Sequence, residues 1–380
     1  MSPPTPKGRR FSLLLPGDPA PWFHQRSLSN PRYAFSAVGG RYVVLCFYGS
    51  AADPLGRAAL DAVVAGRAIF DDASACFFGI SVDPRDESEG RIAEMIPGIR
   101  YFLDYDLLVS RQFGAAPLDL ANGETDFPLR RFWLVLDPTL RVLEVFPFAG
   151  EAGGFGAVAD YLRTLPPPAR FAGFDVQAPI LILPKVFEPE FCARLIALYD
   201  RHGGAESGFM RDVNGKTEMA HDPSHKRRKD YIIEDDALIK EAQQRVRRRI
   251  VPEILKVHQF KVTRMERYIV SCYAAEDRGH FRAHRDNTTA GTAHRRFAVS
   301  INLNADFEGG EISFPEYGPR RFKPPVGGAC VFSCSLLHEV SPVTAGRRYA
   351  FLPFLYDDEA ARIREANNVH LGAGVGAYRA

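Results

Sequence analysis

Two kinds of apolar patterning divide the chain. In its first part, continuous apolar runs alternate with amphipathic stretches. Arg41–Gly49 (RYVVLCFYG) and Ala75–Pro84 (ACFFGISVDP) are apolar at both parities, which predicts strands buried on both faces. Helical spacing appears at about 54–70, 87–95 and 106–113. Arg131–Pro138 and Val142–Phe146 read as a hairpin around a Pro138-Thr139 turn, and a last helix is predicted at 156–164. Strands alternating with helices and closed by a hairpin predict a three-layer α/β domain over residues 11–165.

Leu165-Pro166-Pro167-Pro168-Ala169 is a stiff break, and residues 166–177 read as a Pro-rich linker. Next come a short strand at 180–183 and an amphipathic helix at 188–199 with Pro189 near its first turn. A polar, Gly-rich stretch over 203–226 is predicted as a loop, and 235–257 as one long helix. From Phe260 the pattern changes to short strands: 266–273, 281–285, 297–303, 311–314, 321–323, 329–334, 338–340 and 349–356. Their spacing predicts a mainly β domain over 178–358, a double-sheet jelly roll with flanking helices. The tail, 359–380, begins as a helix and turns Gly-rich at Leu371–Gly376.

Composition narrows the class. With 380 residues, 46% of them hydrophobic and a net charge of +2, the chain can bury two sizeable cores. A charge so near zero gives no prior for nucleic acid, and no apolar run approaches a membrane span. Residues 1–10 read as a disordered Pro-rich leader without a signal-peptide core, so the expected location is cytoplasmic. The six cysteines (Cys46, Cys76, Cys192, Cys272, Cys330, Cys334) lie mostly in strand-like apolar runs without a CxxC pair, which predicts buried thiols.

The candidate chemistry sits in the β-rich part. His284 and Asp286 are two apart, so they share one face of a strand, and His338 follows another candidate strand far downstream. Two imidazoles and one carboxylate form a set suited to non-haem Fe(II) with coordination positions left open. After His338, Arg347 and Arg348 compete as the buried bidentate cation that a dicarboxylate cosubstrate needs, and Pro342 and Gly346 break the parity that would choose between them.

Three motifs together, His284-Arg285-Asp286, Phe307–Phe314 (FEGGEISF) and His338–Arg348 (HEVSPVTAGRR), resemble the Fe(II)/2-oxoglutarate-dependent dioxygenases, in particular their prolyl-hydroxylase-like branch. The resemblance covers 178–358 and implies hydroxylation of a C–H bond coupled to decarboxylation of 2-oxoglutarate to succinate and CO2, with O2 consumed. It implies iron on His284, Asp286 and His338. It selects Arg348, ten positions after His338, for the 2-oxoglutarate tail, and matches Tyr273 to a tyrosine lining that pocket. Asn287, next to Asp286, is grouped with these cofactor residues as a hydrogen-bond support. The branch suggests a peptidyl proline, an amino acid or another small molecule as substrate, and L-ascorbate as the candidate reductant for iron. The polar loop 287–296 is expected to line the substrate mouth. The basic runs Lys226–Lys229 and Arg245–Arg249 read more readily as solvated faces than as anion sites.

Residues 11–165 resemble the peroxiredoxin branch of the thioredoxin fold through Gly17-Asp18-Pro19-Ala20-Pro21, Phe47-Tyr48, Gly79–Asp83 and Asp126-Phe127-Pro128. That family's thiolate chemistry needs a Thr and a Cys at the start of the helix after the first strand, where the helix dipole lowers the thiol pKa. Asp53 and Gly56 occupy those places here, which predicts a redox-silent scaffold or a protein-docking module. The rival readings are a thiol peroxidase using Cys46 or Cys76, and a non-catalytic iron or 2-oxoglutarate sensor.

Overall fold

The computed structural model describes residues 9–121, 124, 126–372 and 375–379. Most of the leader expected at 1–10, and part of the Gly-rich run 371–376, lie outside the described residues. The chain divides into two compact units. One ends at Gln177 and also takes in Pro315–Gly318; the other comprises Ala178–Phe314 and the chain from Pro319 onward.

The first unit begins with a small ribbon, β1 (His24–Gln25) and β2 (Tyr33–Ala34). Its centre is a sheet of β3 (Tyr42–Gly49), β4 (Ala75–Ser81), β5 (Ile99–Leu103), β6 (Phe132–Leu136) and β7 (Val142–Pro147), in the order β5-β4-β3-β6-β7. β3, β4 and β5 are parallel; β6 runs antiparallel to β3, and β7, antiparallel to β6, returns in the direction of β3. Val44, Cys46 and Tyr48 pack with helices α1 (Pro54–Ala65) and α4 (Phe155–Thr164). The alternate residues Val43, Leu45 and Phe47 pack with Phe23, Phe35 and helix α3 (Leu108–Phe113). Both faces of β3 are therefore covered, which is why its sequence shows no alternation. This is the three-layer α/β arrangement expected. The helix expected at 87–95 is only one turn, α2 (Arg85–Ser88), because Gly90 follows with φ of +62° and ends it.

The second unit carries, in order, β8 (Leu181–Leu183), α5 (Pro189–His202), β9 (Ala205–Glu206), β10 (Phe209–Val213), β11 (Lys216–Ala220), β12 (Lys226–Arg227), β13 (Lys229–Ile232), α6 (Asp236–Arg249) and α7 (Val251–His258). The β-rich part follows: β14 (Arg264–Glu266), β15 (Ile269–Ala274), β16 (His280–His284), β17 (Phe297–Asn302), β18 (Phe307–Gly309), β19 (Ile312–Ser313), β20 (Arg321–Phe322), β21 (Ala329–Ser333), β22 (His338–Val340), β23 (Val343–Phe351) and β24 (Phe354–Tyr356), then α8 (Asp358–Ala366). A minor sheet has the order β12-β16-β22-β19-β20; a larger one contains β14-β24-β17-β23-β15-β13-β9 with β21 and β8 beside it. This is the two-sheet β architecture with flanking helices expected.

The larger sheet is buried on both faces, and its parity explains the site. Val270 and Cys272 of β15, Val299 and Ile301 of β17, and Tyr349 and Phe351 of β23 share one core with Leu195 of α5 and Leu238 and Val246 of α6. The intervening residues Ser271, Tyr273, Ser300, Asn302 and Arg348 are buried on the other face.

In the second unit, three expectations about its elements need correction. Residues 203–226 are not a plain loop: they contain the β10–β11 hairpin, with Phe209 opposite Ala220 and Val213 opposite Lys216. The long helix at 235–257 is two helices, because Pro252 in the first turn of α7 has no N–H to continue α6. Strand β23 starts at Val343 rather than Tyr349. It passes through Gly346, whose φ is +69°, and pairs first with β18 and then with β15. The Arg245–Arg249 run does face carboxylates: Arg245 Nε donates to Glu188 at 2.6 Å, Arg249 also binds Glu188, and the Arg245 guanidinium lies 4.0 Å from the Phe191 ring centroid. These arginines clamp α6 to the start of α5.

Candidate metal centre

β16 ends on His284 and β22 begins on His338, and the two residues are direct cross-strand partners. Their ring centroids are 4.2 Å apart. Asp286 lies just past β16, where its backbone N–H donates to Cys334 O at 2.9 Å and holds the segment beside the chain leading to β22. His284 Nε2 is 3.6 Å from Asp286 Oδ1, and His338 Nε2 is 3.3 Å from Asp286 Oδ2. The ligand atoms of all three lie within 4.8 Å of one another.

The tautomers follow from the partners. His284 Nδ1 donates to Arg282 O at 2.7 Å, and His338 Nδ1 donates to Leu336 O at 2.9 Å. A proton held at each Nδ1 leaves each Nε2 as an acceptor aimed toward the carboxylate. Burial, reinforced by His338, pushes the His284 pKa down to about 4, so the ring is neutral near pH 7. Burial alone would raise the Asp286 carboxyl, but His338, His284 and Arg295 outweigh it and hold the pKa below the ordinary range. Three acceptors with one net negative charge thus converge. Such a set is mutually repulsive until a cation sits among them, so the donor chemistry fits a divalent metal. Aromatic rings back it: Phe281 stacks on His284 at 3.5 Å, and Phe332 lies 4.6 Å from His338.

Arg348 sits on the larger sheet, 1% exposed. Its Nε donates to Asn302 Oδ1 at 3.1 Å and its Nη2 to Ser300 Oγ at 2.8 Å, while among the described residues Nη1 has no hydrogen-bond partner. Burial lowers its pKa, and no carboxylate among the described residues pairs with it. A buried guanidinium with only neutral partners and one free N–H fits an incoming carboxylate. Arg347, of opposite parity, is exposed and pairs with Glu276 at 3.1 Å. Tyr273 is the cross-strand partner of Arg348, whose guanidinium lies 5.3 Å from its ring centroid. Asn287 donates its amide to Ser335 Oγ at 2.8 Å, tying the Asp286 segment to the turn before His338. In the loop 287–296, Thr289 and Thr292 cap one another and are buried, and His294 bonds buried Glu266 at 3.1 Å, while Thr288 is exposed.

Two residues escaped the sequence reading. In the run Lys226–Lys229, Lys226 and Arg228 are buried while Arg227 and Lys229 are exposed. The run crosses from β12 in the minor sheet to β13 in the larger one, so its alternate side chains enter the interior. The Arg228 guanidinium pairs with Asp230 at 2.7 Å and reaches Tyr273 Oη at 3.3 Å. The available signal was the period-two alternation itself. A cleft of about 630 Å³ borders β13 and β15, but none of His284, Asp286 and His338 lines it.

In the first unit, Asp53 caps α1, accepting from Gly56 N at 2.9 Å, and pairs with Arg131 at 2.6 Å. All six cysteines are buried and free. Burial raises the Cys46 thiol pKa far above its usual range and pushes that of Cys76 up to about 12, the reverse of what a peroxide-reducing thiolate needs.

The model of the 2OG-Fe(II) oxygenase superfamily matches residues 268–356, the span from β15 to β24. This stretch is a 2OG-Fe(II) oxygenase domain. The oxygenase domain is similar to a PKHD-type hydroxylase of Pseudomonas fluorescens, 33% identical over 91 residues, which are 22% of this chain and 39% of that protein. It is also similar to one of Polaromonas sp., 36% identical over 80 residues, 19% of this chain and 35% of that protein. The chain therefore spans well under half the length of these relatives. Among solved structures, a prolyl hydroxylase from Trichoplax adhaerens in complex with a hypoxia inducible factor peptide fragment aligns over 48% of this chain and 84% of its own, at 18% identity and TM-score 0.38. Peroxidoxin BcpB from Mycobacterium tuberculosis aligns over 40% of this chain and 99% of its own, at 23% identity and TM-score 0.33. Among the described residues, no helix is long and apolar enough to cross a membrane.

Proposed function

We propose that the protein is an Fe(II)- and 2-oxoglutarate-dependent dioxygenase that hydroxylates a C–H bond of a small molecule or peptide, with succinate and CO2 as coproducts. The observation that carries this reading is the convergence of His284, Asp286 and His338 within 4.8 Å, both Nε2 atoms left as acceptors. These three residues would hold Fe(II), which together with 2-oxoglutarate and O2 supplies the oxidising chemistry.

The chain's own residues do the rest. Arg348 would take the distal carboxylate of 2-oxoglutarate on its free Nη1, with Ser300 and Asn302 fixing the guanidinium plane. The ring of Tyr273 would form a wall of that pocket. The Arg282 and Leu336 carbonyls keep both imidazoles in the metal-binding tautomer. Asn287 and Arg285, both bonded to Ser335, hold the Asp286 segment against the turn before His338. Phe281 and Phe332 exclude water from the rings they cover.

The test is succinate formation from 2-oxoglutarate by the purified protein with Fe(II) and O2, together with the visible charge-transfer absorption of a 2-oxoacid chelated to Fe(II). The wild type is expected to show both. His338→Ala should lose both, and Arg348→Ala should need more 2-oxoglutarate. A wild-type protein that gives neither signal refutes the proposal.

A further inference from the structure

Two buried cations of the second unit make no ion pair with a carboxylate among the described residues. One is Arg348. The other is Lys226, 7% exposed, whose ammonium donates to Ser207 Oγ at 2.7 Å and to Gly208 O. Arg228, between them in the field, is already neutralised by Asp230, which also accepts from Ser271 at 2.6 Å. Burial, with Arg228 adding to it and Asp230 and Asp286 opposing it, drives the Lys226 pKa far below its normal value. Buried ammonium groups are ordinarily paired. An unpaired one in a candidate active site is a functional feature until shown otherwise.

Lys226 lies on the metal side of the interior. Its Nζ is 4.8 Å from the Phe281 ring centroid, and Phe281 stacks on His284. Residue 226 is also the cross-strand partner of Phe281. The His225 ring, 6.4 Å from His284, comes from the same segment. Arg348 lies on the other sheet, and 2-oxoglutarate has only one carboxylate for it, since the other end chelates metal. That leaves Lys226 and Ser207, which both line the cleft of about 630 Å³ beside β13 and β15, open to a second carboxylate.

We infer that Lys226, with the Ser207 hydroxyl, forms a subsite for a carboxylate on the substrate, and that the substrate is a small carboxylic acid such as a free amino acid and not an internal residue of a peptide. This rests on the dioxygenase reading above. The competing role for Lys226 is a strap holding β9 and the β10–β11 hairpin to β12, which its bonds to Ser207 and Gly208 would also serve.

The experiment compares free amino acids with their α-carboxamides, and with a proline-containing peptide blocked at both ends, as stimulators of succinate formation by the full chain with Fe(II) and 2-oxoglutarate. At least one acid is expected to stimulate about tenfold or more over its own amide and over the peptide. Lys226→Met should collapse that acid-to-amide ratio toward one, and Lys226→Arg should keep part of it. A strap would lower the response to acid and amide alike and leave their ratio intact. The inference is overturned if no acid stimulates, if amides or the blocked peptide do as well, or if the ratio survives in Lys226→Met. Since the wild-type acid-to-amide comparison needs no variant, a misfolded Lys226→Met leaves the test standing. Failure of the dioxygenase reading would look different, because wild type would then lack the Fe(II)–2-oxoglutarate absorption itself.

Discussion

The start of α1 in the first unit and the end of β16 in the second are both positions where the resembled scaffolds carry their chemistry, and they have gone opposite ways. At α1, Asp53 stands at the threonine place and Gly56 at the cysteine place. The carboxylate caps the helix and pairs with Arg131, so Asp53 itself is satisfied within the protein. At β16, the ligand atoms of His284, Asp286 and His338 converge within 4.8 Å, and across the interior Arg348 Nη1 has no hydrogen-bond partner among the described residues. A carboxylate whose partners all come from the protein works as a structural cap, whereas buried acceptors and a guanidinium that keep hydrogen-bonding capacity can take a ligand.

Breaking the open site should cost most. Asp286→Ala removes the only charged donor, and we expect Fe(II) affinity, measured by equilibrium dialysis, to fall on the order of 100-fold or more, beyond what loss of a merely supporting partner costs. Arg348→Met comes next. Losing a charged hydrogen-bonded anchor costs about 1.5–3 kcal/mol, so the KM for 2-oxoglutarate should rise about 10- to 100-fold. Exposed Arg347→Met should leave it nearly unchanged; equal effects would mean the parity argument has chosen the wrong arginine.

The closed site responds through stability. Gly to Ala within a helix normally stabilises by about 1 kcal/mol. At Gly56, however, a Cβ would meet Ser50 O at 2.5 Å, so Gly56→Ala should destabilise in urea unfolding. Asp53→Ala should cost about 1 kcal/mol as a lost cap. The smallest effect expected is none: iodoacetamide should leave all six cysteines of the folded protein unmodified at pH 8, because each is buried. Rapid labelling of Cys46 or Cys76 would instead revive a thiol role for the first unit.

Much of this was legible in the chain. His284 and Asp286 could be joined from spacing alone, since two residues apart on a strand means one face. The continuous apolar runs at 41–49 and 75–84 announced a sheet covered on both sides. Other features were not legible, for identifiable reasons. Lys226–Lys229 reads as a solvated run because composition cannot show a strand passing between two sheets and turning alternate side chains inward. Residues 203–226 hide a hairpin whose polar residues carry no apolar period. Residues 235–257 read as one helix because the apolar spacing continues through Pro252 although the backbone hydrogen bonding cannot.

By itself the sequence determined the residue types and their local faces: an imidazole and a carboxylate in step on one strand, a second imidazole at the start of another, and two adjacent arginines. Which arginine is buried, which lysine is buried, and whether the three metal-suited groups meet at all were decided only by the pairing of β16 with β12 and β22 and of β15 with β23. Periodicity is a property of neighbours along the chain, whereas burial and convergence are properties of strands brought together from far apart in sequence.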